Sequence, residues 1–263
     1  MDNGQCGGSG LMGDAGIDGI IVINLDRRPD RWAEFQADWQ EILPWARVVR
    51  LSASDGRSIA GFGQRPWFRG RKRDLTWAGR AGCALSHGRA LREAQARGWR
   101  RVLILEDDAV PAVGGRLPAI LAQADWDMLY LGASKPQNAD RHPRAGVARI
   151  SGALDTHAYA VTAPLRDWLI EQLPTEATVW AWIAREGAVD RWMRREIGRR
   201  FSIALCQPIY AGQRIGPSDI TQRVQTVYGG DDAVAGERSN ALIRNGERLM
   251  NALRSARRHA VGF

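Results

Sequence analysis

The chain has 263 residues, 44% of them hydrophobic and 25% charged, which suits one large domain or two small ones. Its 11 tryptophans and its apolar content exclude a chain that is disordered throughout, and no apolar run approaches the ~18 residues of a membrane-spanning helix. The net charge is +8, yet Lys72 and Lys135 are the only lysines among 37 basic residues. That arginine skew runs along the whole chain rather than along one stripe, so it argues against nucleic acid as the partner.

Residues 1–16 are dense in glycine and lack a basic start followed by an apolar core, which predicts a flexible lead-in rather than a signal peptide. Residues 20–25 (IIVINL) form a continuous apolar run, the pattern of a strand buried on both faces. Pro29 suits the first turn of a helix. Trp32, Phe35, Trp39, Ile42 and Leu43 then keep helical spacing until Pro44. Residues 46–51 (ARVVRL) read as a second strand, and 52–76 as a long polar connection with five basic residues between Arg65 and Arg73. A helix is expected over 77–97, stopped by Gly98.

Residues 102–105 (VLIL) give the clearest strand, followed by a short helix around 116–123, a strand at 127–131 and a loop over 132–148. A strand at 157–162, a helix at 164–173, further helix between 178 and 197 and a strand at 201–205 complete the pattern. Alternating strands and helices predict βαβ units: an α/β fold whose mostly parallel twisted sheet is flanked by helices, with ligands beyond the carboxyl ends of its strands. The domain is expected over 17–228. A linker would then lead over 229–263 into a basic amphipathic helix at about 238–258. Leu242, Ile243, Leu249, Met250 and Leu253 lie on one face of that helix, with arginines around them. Such a helix is compatible with peripheral contact on an anionic membrane. Cys6, Cys83 and Cys206 contain no CxxC pair, which points to a reducing, cytoplasmic setting.

No GxGxxG follows the first strand and no GxxxxGK[ST] is present, so a dinucleotide fingerprint and a P-loop are both unsupported. The strongest chemical feature is Glu106–Asp107–Asp108 directly after a buried strand. Three adjacent carboxylates repel unless a cation or arginines neutralise them. Hard oxygen ligands suit Mg²⁺ or Mn²⁺ bridging a diphosphate. Capping of the next turn is the competing reading. Asn24, Leu25, Arg27, Arg28 and Arg31 leave the carboxyl end of the first strand on the same sheet edge, where arginines can meet phosphate bidentately.

INLDRRPDR at 23–31, GCALSH at 82–87, VLILEDD at 102–108, WDMLYLG at 126–132, HAYAVT at 157–162, VDRWM at 189–193 and QPIY…Q…SDI at 207–220 fall in the order found in glycosyltransferase family 25. The chain resembles that family over roughly residues 20–220. The resemblance implies a GT-A-like nucleotide-diphospho-sugar transferase fold and an inverting, UDP-sugar-dependent hexosyltransferase. UDP-galactose is the expected donor, and a saccharide of the lipopolysaccharide or lipooligosaccharide kind the acceptor. It implies Mn²⁺ or Mg²⁺ at Asp108 and Glu106. It places Asn24, Leu25, Arg27, Arg28, Arg31, Gly82, Ser86, His87, Glu106 and Asp107 at the donor and makes Asp190 the catalytic base. Gly82 would let backbone approach the donor, and His87 would contact phosphate or order a metal ligand. A buried structural histidine and an Asp190–Arg194 helix pair are the competing readings. Arg80 and Arg191 stand where the family often carries acids. Two other functions compete: a basic nucleic-acid-binding module, and a family member that binds sugar nucleotide without transferring it.

Overall fold

The computed structural model describes residues 16–71, 74, 76–112, 117, 119–122, 125–140, 146–214, 216–217 and 224–225. Lead-in residues 1–15, the linker and the basic C-terminal helix lie outside the described residues.

The apolar run at the start becomes β1 (Gly19–Asn24), buried along its whole length. Pro29 opens α1 (Pro29–Trp39), and the chain returns through β2 (Val48–Ser52), which pairs parallel to β1. The long connection leads to α2 (Trp77–Ala96). The strand of the acidic motif, β3 (Arg101–Glu106), lies parallel on the other side of β1. Next come β4 (Ala109–Pro111), β5 (Met128–Gln137), β6 (Val147–Ile150) and β7 (Gly152–Thr162). Three helices follow, α3 (Ala163–Gln172), α4 (Val179–Glu186) and α5 (Val189–Glu196), and then β8 (Ile203–Cys206) and β9 (Ala211–Gln213).

The central sheet has seven strands in the order β2-β1-β3-β7-β5-β8-β6. β7 runs antiparallel between β3 and β5, and β6 antiparallel beside β8. The sheet is therefore mixed, a correction to the mostly parallel expectation: the nine residues between β5 and β6 are too few for the crossover that a parallel return needs, so the chain comes back antiparallel to β5 and runs on through β6 into β7. The 132–148 loop is corrected as well, because β5 continues to Gln137 through a series of bulges against β7. The helix expected between 178 and 197 comes as two segments, divided at Gly187 with φ of 91°.

Alternate strand residues feed two cores. Ile21, Ile23, Ile104, Tyr130 and Tyr159 meet α2 to α5 on one face. Ile20, Val22, Leu103, Leu105 and Leu129 meet Phe35 and Trp39 of α1 on the other. Stacked Trp32, Phe35 and Trp39 stiffen that second layer. Burial on both faces explains the unbroken apolar runs. Among the described residues, no helix is long and apolar enough to cross a membrane.

Candidate functional site

The carboxyl ends of β1 and β3 open into a partly enclosed cleft. Glu106, Asp107 and Asp108 lie in it. Leu25, Arg27 and Arg31 contribute from the turn after β1, and Gly82, Cys83, Ser86 and His87 from α2, together with residues 53–57.

The three carboxylates are held differently. Asp107 accepts from Asn24 Nδ2 at 2.6 Å and from Arg31 at 3.3 Å, and burial still pushes its pKa up. Glu106 accepts from His87 Nε2 at 3.2 Å and from Thr156 at 2.8 Å. Burial works to raise Glu106, but His87 and Thr156 hold it below the ordinary carboxylate value. Asp108 Oδ2 accepts from Gln213 at 3.1 Å and lies 3.9 Å from Arg31, while its Oδ1 is buried without a hydrogen-bond partner. Burial, followed by the charges of Glu106 and Asp107, pushes the Asp108 carboxyl up to about 7. An orphaned anionic oxygen in a negative cluster is where a divalent cation relieves the most repulsion. The oxygen chemistry of the acidic motif fits a hard metal ion, and the unpartnered Asp108 Oδ1 is the atom that would meet it.

The opposite wall is built from close contact between loop and helix. A Cβ on Gly82 would come within 2.4 Å of the Ser54 carbonyl oxygen, and one on Gly56 within 1.8 Å of the Ala78 oxygen. Ser86 Oγ accepts from the Ser54 amide at 2.8 Å and donates to the Gly82 carbonyl at 2.7 Å. The backbone that approaches Gly82 is thus the chain's own residue 54. Gly82 and Ser86 fix the wall of the cleft, and its surface includes Asp55 and Arg57. Asp55 pairs with Arg27 at 3.3 Å and accepts from the Arg57 amide.

His87 is buried, with Nδ1 2.9 Å from Tyr159 Oη. Asn24 lies buried beneath the cleft, bonded to Asp107, to the Arg28 carbonyl and to Arg50, so it supports the acidic motif from below. Arg28 is the outlier of the arginine group. Asp30 two residues on holds its guanidinium at 2.8 Å, and Arg28 is not part of the cleft lining. Arg65, Arg69 and Arg71 do not line it either, and Lys72 and Arg73 lie outside the described residues.

Asp190, in the first turn of α5, accepts from the Arg191 amide at 2.7 Å. It is not among the residues that line the cleft, yet it is near enough for its charge to bear on the Cys83 thiol and on Arg80. Burial raises the Asp190 carboxyl, with the nearby charge of Asp155 adding to the shift. Asp155 itself has φ of 70°, in the left-handed region. Sequence reasoning missed Ser54, Asp55, Arg57 and Gln213. The glutamine of the QPIY…Q block was the one available signal, and the β4–β9 ribbon explains it by laying Gln213 against Ala109 beside Asp108.

No family model matches the chain. It is 36% identical over 132 residues to human inactive glycosyltransferase 25 family member 3, which covers 44% of this chain. It is 29% identical over 182 residues to a glycosyltransferase 25 family member of Aedes aegypti, covering 62% of this chain. The chain is thus similar to members of glycosyltransferase family 25 over 44–62% of its length. The matches span 22% of the human relative and 30% of the Aedes aegypti one. Solved structures offer a distant likeness to this chain. A197 from STIV aligns over 84% of it and 98% of the viral chain at 11% identity, with a TM-score of 0.39. Mannose-1-phosphate geranyltransferase from Thermus thermophilus aligns over 72% of both chains at 12% identity, with a TM-score of 0.35. Neither score assigns the fold.

Proposed function

We propose that the chain is a metal-dependent, inverting glycosyltransferase with a GT-A-like domain. It moves a hexose, galactose being the first to test, from a UDP-sugar onto a hydroxyl of a saccharide acceptor such as a lipopolysaccharide core. The observation that carries this reading is the unpartnered Oδ1 of Asp108 among three carboxylates in an open cleft. Asp108, with Glu106 beside it, would hold Mn²⁺ or Mg²⁺, which supplies Lewis-acid neutralisation of a departing diphosphate.

The chain's own residues would do the rest. Arg27, Arg31 and Arg57 bring positive charge to the cleft for the phosphates. Asn24 and Arg31 hold Asp107 so that the acidic turn keeps its shape. Asp190 is the proposed base. The acceptor oxygen attacks the anomeric carbon, the glycosyl–phosphate bond breaks, UDP leaves, and the acceptor proton passes to Asp190. The raised pKa of Asp190 favours that role, because a base nearer neutrality accepts the proton with more driving force. A panel of UDP-sugars tests the proposal through UDP release with and without Mn²⁺. One sugar should give acceptor-dependent release that chelator abolishes, whereas no release from any of them contradicts it.

A second reading, sugar-nucleotide binding without transfer, is favoured by the names of the human and rat relatives, "inactive" and "probable inactive" family member 3. It predicts metal-dependent UDP binding without turnover on any acceptor.

A further inference from the structure

Cys83, His87 and Glu106 form a cluster that shares only Glu106 with the proposed diphosphate metal position. Cys83 and His87 lie one turn apart on the same face of α2, and Glu106 ends β3 opposite them. Their ligand atoms Sγ, Nε2 and a carboxylate oxygen all lie within 4.8 Å of one another, and Nε2 is 3.2 Å from Oε1. In a tetrahedral zinc site the ligand atoms sit about 3.3–3.7 Å apart, from bond lengths of roughly 2.0–2.3 Å. The His–Glu edge is already that short, and the thiol needs a shift of about 1 Å at most to complete the face.

A second shell is in place. His87 Nδ1 is 2.9 Å from Tyr159 Oη, an arrangement that leaves Nε2 as the coordinating nitrogen. Thr156 Oγ1 donates to Glu106 Oε1 at 2.8 Å. Ordered partners of this kind orient and tune metal ligands. All three ligands line the cleft, so an ion can enter and a fourth position opens onto the cavity.

We propose that Cys83, His87 and Glu106 form a transition-metal site of the Zn²⁺ class, separate in chemistry from the all-oxygen position at Asp108. One sulfur, one nitrogen and one oxygen select a borderline-soft ion such as Zn²⁺ or Co²⁺ over Mg²⁺ or Mn²⁺. Coordination displaces the thiol proton to solvent. Glu106 is common to this site and to the proposed diphosphate metal position, whereas Cys83 and His87 belong to this site alone.

The test is a Co²⁺ titration of the full chain. A near-ultraviolet thiolate-to-cobalt charge-transfer band, with intense visible bands of four-coordinate cobalt, should saturate at a single equivalent and collapse on adding Zn²⁺. Cys83→Ser should abolish the charge-transfer band. A chain carrying Cys6→Ser and Cys206→Ser, in which Cys83 is the sole thiol, should keep it. Tyr159→Phe should weaken Co²⁺ binding about tenfold or more through the lost second-shell bond. Asp108→Asn should leave the band intact, which separates failure of this site from failure of the donor reading. Absence of a charge-transfer band in the unaltered chain overturns the proposal, as does a band that survives Cys83→Ser.

Discussion

Asp108→Asn should stabilise the metal-free protein while abolishing its response to metal. The Asp108 carboxyl titrates near 7 in the fold against a reference of 3.8, because burial and then the charges of Glu106 and Asp107 disfavour ionisation. A raised acid pKa means that folding takes up a proton between those two values. The ionised form then costs the folded state an amount that grows as pH rises above about 4 and is complete above about 7. At about 1.4 kcal/mol per pH unit the ceiling is about 4 kcal/mol, and relaxation around the charge brings it to the order of 2 kcal/mol. Asparagine keeps the volume and removes the charge. Thermal melts in chelator should place the variant about 4–8 °C above the unaltered protein at pH 8. The gap should shrink to about a third of that at pH 5, where most of the cost has gone. Mn²⁺ should raise the melting temperature of the unaltered protein and leave the variant's unchanged. A variant less stable than its parent at pH 8, or a gap independent of pH, would refute the electrostatic reasoning.

Asp190→Asn should lower turnover by about 10²–10⁴-fold while leaving UDP affinity with Mn²⁺ within a few fold, as measured by steady-state kinetics beside equilibrium binding. With Asp190 raised above the ordinary carboxylate value, activity should rise with pH as it ionises, and that acid limb should vanish in the variant. Gly82→Ala puts a methyl 2.4 Å from the Ser54 oxygen. It should cost about 1–3 kcal/mol in denaturant unfolding and weaken UDP binding, because the 53–57 segment must move off α2. Unchanged stability would mean that this wall yields freely.

How much was legible follows from what each residue depends on. β1 and β3 could be read because helices cover both faces of the sheet there, leaving unbroken apolar runs. The far half of β5 could not. Gly132, Lys135 with φ of 49° and the register shifts of its bulges look like loop, and only pairing with β7 makes it strand. The direction of β7 is equally invisible, since apolar content does not encode which way a strand runs. In the site, the acidic turn declared itself through three adjacent carboxylates. The Asn24–Asp107 bond joins residues 83 apart, and Gln213 reaches Asp108 across 105 residues. No local pattern reports contacts of that range. Gly82 and Ser86 were recognised as site residues, but their task could not be read without Ser54, which α2 meets only in the folded chain. Arg28 was grouped with Arg27 and Arg31 by proximity in sequence, and a two-residue pairing with Asp30 takes it away.

The central claim, that the acidic turn after β3 makes a metal-dependent nucleotide site, is tested most directly by calorimetry of UDP binding in Mn²⁺ and in chelator. The account predicts binding at least tenfold tighter with Mn²⁺ and no such difference in Asp108→Ala. Equal UDP affinity in metal and in chelator would contradict it.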